Sequence, residues 1–173
     1  PRTLNNKKFL LGDVLNSTPK IVGAPNSGYD IIFGDETYGT FRRAYKDRRK
    51  VIYVGANDGM LHAFNGGFCQ SGGNDVDLGT DPTSGKTITK RIFNVACDKK
   101  GGPALGAELW AYVPYNVLPH LKWLKDKNYA HVSYVDGSIQ QFDVNIFPKS
   151  KKHPEGWGTI LVAGLRQGGG LYS

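Results

Sequence analysis

The stretch Lys50-Val51-Ile52-Tyr53-Val54-Gly55-Ala56-Asn57-Asp58-Gly59-Met60-Leu61-His62-Ala63-Phe64-Asn65 decides the fold. Val51 to Val54 is β-branched and aromatic, which suits a pleated strand. Asp58-Gly59 is a tight-turn signal of the two-residue kind, because such turns need positive φ at their centre. Met60 to Phe64 then resumes the strand pattern. A hairpin with one wet face alternates apolar and polar residues. This one is largely apolar on both faces, so it expects cover on both sides, as a propeller blade receives from its neighbours.

Composition agrees with a β-rich chain. Among 173 residues there are 23 glycines, 39% hydrophobic residues and 12% aromatic residues. That is too apolar for a disordered chain and long enough for a real core. Long helical periodicity is almost absent, which favours an all-β class with many turns. The net charge of +7 favours acidic contact surfaces and is silent about fold. No apolar run reaches the length of a membrane-spanning helix, and no signal-peptide pattern is present. The sequence begins at Pro1 rather than at a methionine, and we expect it to have been excised from something longer.

Working outward, residues 1–9 are polar and basic and read as a linker or frayed arm. Lys20 to Gly23 reads as a short strand opened by Pro19. Residues 24–49 form a connector too aromatic for a solvated loop, with Tyr29, Phe33, Tyr38, Phe41 and Tyr45, and should pack on the sheet. Residues 66–106 break the strand pattern and read as an insertion, with a short strand within 87–95. Loops this long in a compact domain usually carry function. Cys69 and Cys97 lie near its ends as a candidate disulfide; closing such a loop would contribute about 3–4 kcal/mol on the chain-entropy model. Ala107 to Pro114 reads as a strand, residues 116–125 as the one short helix, and Tyr129 to Tyr134 as a further strand.

The second half echoes the first. Val135 to Val144 repeats the turn, serine and strand of Val14 to Val22. Thr159 to Gly164 repeats Lys50 to Gly55, and Gly168 to Ser173 repeats Asp58 to Ala63. An alternative register pairs Asp136-Gly137 with Asp58-Gly59 and leaves Ile160 to Gly164 without a counterpart. The expected architecture is therefore mainly all-β. It is a partial β-propeller with one complete four-stranded blade (17–114, with insertions 24–49 and 66–106), a connector helix at about 116–125, and a partial second blade (138–173) within a propeller segment spanning 10–173.

With both copies in view, L-G-D-V-L-N-S-T-P (11–19), V-I-Y-V-G-A-N-D-G-M-L-H-A-F-N (51–65), E-L-W-A-Y-V-P (108–114), Y-V-D-G-S (134–138) and W-G-T-I-L-V-A-G-L (157–165) resemble the C-terminal propeller domain of PilY-type proteins of type IV pili. The resemblance implies a modified β-propeller related to quinoprotein repeats. It implies a non-enzymatic role in pilus assembly, twitching motility and surface adhesion at or near the pilus tip, with passage through the periplasm to the cell surface. Implied partners are minor pilins, a host or abiotic surface, and the remaining propeller blades. Some members bind calcium through an Asp/Asn-rich loop of a later blade, a loop these 173 residues do not contain. The alternative the repeats carry is a fragment of a quinone-dependent periplasmic dehydrogenase. Many such enzymes use adjacent cysteines, whereas Cys69 and Cys97 are far apart.

The chemistry-bearing residues are few. Asp75, Asp77 and Asp81 form D-x-D-x-x-x-D, a calcium candidate because that ion takes six to eight hard oxygens, though it lacks the closing bidentate Glu of an EF-hand. A solvated acidic loop is the plainer reading. Residues 79–87 imitate a phosphate loop, but five residues separate Gly79 and Gly85 where four are needed, and no strand–helix context surrounds them. The basic run Arg42 to Lys50 reads as an exposed connector before a nucleic-acid patch, and no nucleic-acid partner is expected. His62, His120, His131 and His153 have no zinc spacing, and a packed or satisfied His62 is expected. Trp110, Trp123 and Trp157 read as packing residues. No cofactor and no catalytic residue is assigned.

Overall fold

The structure, a computed structural model, describes residues 2–4, 7–9, 11–68, 74–80, 87–92 and 103–166. Its centre is the sheet built on the opening hairpin. Strands β3 (Lys20–Val22), β4 (Val51–Gly55), β5 (Leu61–Asn65) and β8 (Glu108–Tyr112) form a four-stranded antiparallel sheet in the order β3-β4-β5-β8. Four consecutive strands in up-and-down order make one propeller blade. Three other antiparallel pairs accompany it. These are β1 (Arg2–Leu4) with β2 (Lys7–Phe9), β6 (Asn74–Thr80) with β7 (Thr87–Ile92), and β9 (Ile139–Asn145) with β10 (Trp157–Ala163). The arm expected as a linker thus contains a small hairpin.

The turn of the main hairpin is one residue longer than expected. Gly55 pairs with Leu61, and the Ala56 amide donates to the Met60 carbonyl at 3.0 Å. The loop is therefore Asn57-Asp58-Gly59. The Gly59 amide closes it onto the Ala56 carbonyl at 3.3 Å, with Gly59 at φ 91°. A three-residue loop ending in a left-handed glycine is the other common hairpin solution, and it explains why the glycine signal was right while the loop length was not.

On one face of the hairpin, Leu61 packs with Val135 and Ile139, flanked by Tyr53, Leu161 and Ala163. This is where the β9–β10 sheet stacks. Main-chain atoms meet at this contact, because a Cβ placed on Gly55 would lie 2.1 Å from the Val135 carbonyl oxygen. The segment from Leu11 to Ser17 crosses the turn. The Gly12 amide donates to Asp58 Oδ2 at 2.8 Å, the Asn57 amide to the Asp13 carbonyl at 3.0 Å, and the Gly55 amide to Ser17 Oγ at 2.9 Å.

Helix is richer than expected and lies elsewhere. Residues 24–49, expected as an aromatic connector, fold as α1 (Tyr29–Ile32) and α2 (Glu36–Ala44). Asp35 caps α2, accepting from the amides of Thr37 at 2.9 Å and Tyr38 at 3.2 Å. These bonds, with the Thr37 hydroxyl as the largest influence, hold the exposed Asp35 carboxyl below its usual range. Tyr38, Phe41 and Tyr45 follow helical spacing and do pack, but against Trp157 of the second sheet. The helix expected at 116–125 is a 3-10 helix at Leu118–Lys125. Its amides bond three residues back, His120 to Val117 and Asp126 to Trp123, both at 2.9 Å. Tyr129 to Tyr134, expected as a strand, has no ladder. Its amides go to side chains instead, Val132 to the Tyr129 hydroxyl at 3.1 Å and Tyr134 to Asn57 Oδ1 at 3.0 Å. Among the described residues no helix is long and apolar enough to cross a membrane.

Candidate functional site

An antiparallel meander alternates its connections between two ends. The turn 57–59 and the exit after Tyr112 therefore share one end of the four-stranded sheet. The connections 23–50 and 66–107, both far longer, share the other. The 146–156 connection of the second sheet joins them there. Trp157 sits among Tyr38 and Phe41, its Nε1 donates to Thr37 Oγ1 at 2.9 Å, and the Tyr45 hydroxyl donates to the Lys152 carbonyl at 2.7 Å. The described parts of these connections thus lie at one end of the two sheets. We refer to it as the insertion end.

The insertion end is anchored from below. Asn65 closes the base of the 66–106 insertion: its Nδ2 donates to the carbonyls of Pro103 at 2.7 Å and Ala104 at 3.1 Å, while its Oδ1 accepts from the Gly67 amide at 3.0 Å. The Lys50 amide donates to the Gly67 carbonyl at 2.6 Å, and the Arg49 guanidinium lies 4.6 Å from the Phe68 ring centre. Beneath the helices, buried Asp143 accepts from the hydroxyls of Tyr38 at 2.9 Å, Ser27 at 3.1 Å and Thr159 at 2.6 Å. Burial, followed by the Asp143 bond, pushes the Tyr38 phenol upward, so it stays a donor. Arg43, Lys46, Lys151 and Lys152 are exposed here, and Lys149 pairs with Glu155 at 2.5 Å.

The basic run is less uniform than an exposed connector. Arg42 pairs with Asp30 at 2.5 Å, and Arg48 is half-buried, donating to the Gly23 carbonyl and, at 2.8 Å, to Thr159 Oγ1. Only part of the run faces solvent.

At the opposite end, His62 lies between two carboxylates. Its Nδ1 lies 2.6 Å from Glu108 Oε1 and its Nε2 3.1 Å from Asp58 Oδ2. The other histidines are scattered: His120 lies on Trp123, His153 on Phe147, and His131 is 3.8 Å from Asp13. Trp157 is a buried packing residue, whereas Trp110 and Trp123 are each about two-fifths exposed, at 44% and 40%.

Of the sequence candidates, Asp75 and Asp77 lie on β6, where the register sets them across from Arg91 and Thr89. Asp81, Cys69 and Cys97 lie outside the described residues. Among the described residues no group of three or more His, Cys, Asp or Glu is placed to hold a metal ion. The insertion end itself was not foreseen. Its signals were the helical spacing of Tyr38, Phe41 and Tyr45 and the parity of the connections.

The fold and loop arrangement define a partial β-propeller, one four-stranded blade and a pair of strands stacked on it. A family model described as the PilY1 beta-propeller domain matches residues 11–92, and the chain belongs to that family. It is 32% identical over 177 residues to a type IV pilus biogenesis factor PilY1 homolog of Xylella fastidiosa, covering 100% of the chain. It is 33% identical to the type IV pilus biogenesis factor PilY1 of Pseudomonas aeruginosa PAO1, covering 99% of the chain, and 42% identical to that of strain UCBPP-PA14, covering 96%. The chain spans 11% of the length of each of these relatives. No solved structure gives a significant match.

Proposed function

We propose that the chain is a non-enzymatic propeller segment of a type IV pilus biogenesis factor, acting in pilus assembly, twitching motility and surface adhesion at or near the pilus tip. The observation that carries this reading is the alignment of the chain, end to end, with proteins named as pilus biogenesis factors. The sheets serve as frame, and the insertion end serves as the partner-specific surface, since loops on a rigid frame carry recognition. Its partners are minor pilins and an external surface, reached from the periplasm. The blade boundaries of this reading are 17–114 and 138–173. Calcium at Asp75, Asp77 and Asp81 and a Cys69–Cys97 bridge are separate proposals, the first tested by calorimetric titration with calcium and the second by thiol counting under denaturing conditions.

The test replaces residues 69–102 of the protein by a short Gly/Ser linker and leaves Asn65 and its partners in place. Surface pilus number, twitching distance and adhesion are then measured. Loss of any one with normal protein level supports the reading. If all three were unchanged, the insertion would carry no function.

A further inference from the structure

Between the two sheets lies a cavity of about 210 Å3, with Arg48, Arg49, Tyr53 and Thr159 in its lining and apolar walls from Val51 and Leu161. That is several times the roughly 30 Å3 share of one liquid water. Both arginines carry buried donors with no partner among the described residues. Arg48 spends Nε on the Gly23 carbonyl and Nη1 on Thr159, while its Nη2 is buried with no hydrogen-bond partner among the described residues. Arg49 lies against the Phe68 ring, and its Nη1 is buried in the same state. A guanidinium cannot shed its proton to escape this cost, and a buried donor left unmade is expensive.

The charge balance points the same way. Asp143 is the nearby carboxylate, reaching Arg48 through the Thr159 hydroxyl, which donates to Asp143 Oδ1 at 2.6 Å. Its oxygens are already taken by Tyr38, Ser27 and Thr159. Among the described residues, one carboxylate against two guanidinium groups leaves one positive charge over. Burial pushes the Tyr53 phenol up against the opposing pull of Arg48, so its hydroxyl stays protonated.

We infer that this cavity is a carboxylate-binding site, with the guanidinium groups of Arg48 and Arg49 in its lining as anchors. A planar group with two acceptor oxygens and a single charge matches two guanidinium donors and one surplus charge. The apolar walls take a short alkyl stem. A phosphate would bring a second charge against those walls. The carboxylate comes either from a small free acid or from an acidic side chain of a peptide segment.

The probe is acetate, titrated into the full chain against sodium chloride at matched ionic strength, with the thermal midpoint as readout. A ligand of the native state raises the midpoint steadily with its concentration. The expected result is a rise with acetate beyond that with chloride, lost in Arg49→Gln and kept in Lys127→Gln, an exposed cation away from the cavity. N-acetylaspartate amide, tested alongside, separates the sources. A rise with acetate alone means a small free acid, and a rise with both means that a side-chain carboxylate also enters. Equal responses to acetate and chloride, or an undiminished response in Arg49→Gln, would overturn the site. Should Arg49→Gln fail to fold, the guanidinium resonances of Arg48 and Arg49 in the unmodified chain decide: saturable shifts with acetate support the site, and unmoved resonances reject it.

Discussion

The indole Nε1 of Trp157 donates to the hydroxyl of Thr37 at 2.9 Å, and so fastens a helix inserted in the first sheet to the opening residue of β10 in the second. Trp157 also meets the rings of Tyr29, Tyr38 and Phe41 at centroid distances of 5.6, 5.0 and 6.4 Å. Removing the whole ring forfeits both the bond and the cluster.

Trp157→Ala should therefore cost about 3–5 kcal/mol, and Trp157→Phe, which keeps part of the packing, should cost clearly less. Urea unfolding followed by circular dichroism measures both. A Trp157→Ala midpoint equal to that of the parent would mean that the helices do not depend on this contact.

Gly55→Ala pushes a methyl group to 2.1 Å from the Val135 carbonyl oxygen, where only backbone could yield. Overpacking of this kind costs about 1–3 kcal/mol or more. Gly23→Ala is the matched control, since its new Cβ would meet the flexible Lys50 side chain at 3.2 Å. The two variants should separate in chemical denaturation, with Gly55→Ala the less stable.

Acid should weaken the chain partly through Asp136. Burial pushes this carboxyl up, but bonds from the Asn16 side chain and amide, from Ser133 and from Leu15 together outweigh it and leave the value below 3.8. Because the folded value is the lower one, the contribution is present above the unfolded carboxyl value and is lost as pH falls through the folded one. Asp136→Asn should cost roughly 2 kcal/mol at neutral pH, as hydrogen bonds to charged groups do. It should also flatten the acid limb of a stability–pH curve. An unchanged acid limb would remove Asp136 from the account.

Replacing residues 69–102 by a short linker should leave the four-stranded sheet folded. The bonds that close the base run from Asn65 to Gly67, Pro103 and Ala104, all outside the excised stretch. Asn65→Ala in the intact chain should do more harm than the excision, through its buried unsatisfied partners. Far-ultraviolet dichroism and thermal midpoints test the order of the two.

Much of the sheet was legible because strand signals here are local. Val51 to Val54 and Leu61 to Asn65 carry β-branched, aromatic and other apolar residues that need no distant partner to be read. The turn loop was misjudged because Asp58-Gly59 serves both the two-residue and the three-residue loop, and only the Ala56–Met60 bond distinguishes them. Helix α2 was missed because Gly39 and Thr40 weaken its propensity. Its stability comes from the Asp35 cap and from Trp157, which lies far along the chain. Tyr129 to Tyr134 has the composition of a strand, yet Asn57 takes the Tyr134 amide that a ladder would have used. The insertion end was hidden for another reason: it is a property of which end each connection leaves from, and that exists only once the strand order is known.

The close approach of Gly55 to Val135 has a consequence for any ring built from such blades. Angular errors between successive blades add up around a ring, and the last blade must still meet the first. A contact between main-chain atoms has no rotamers to drift through. It therefore sets the wedge between these two sheets to a tolerance independent of side-chain fit, and closure of the ring becomes a matter settled one interface at a time.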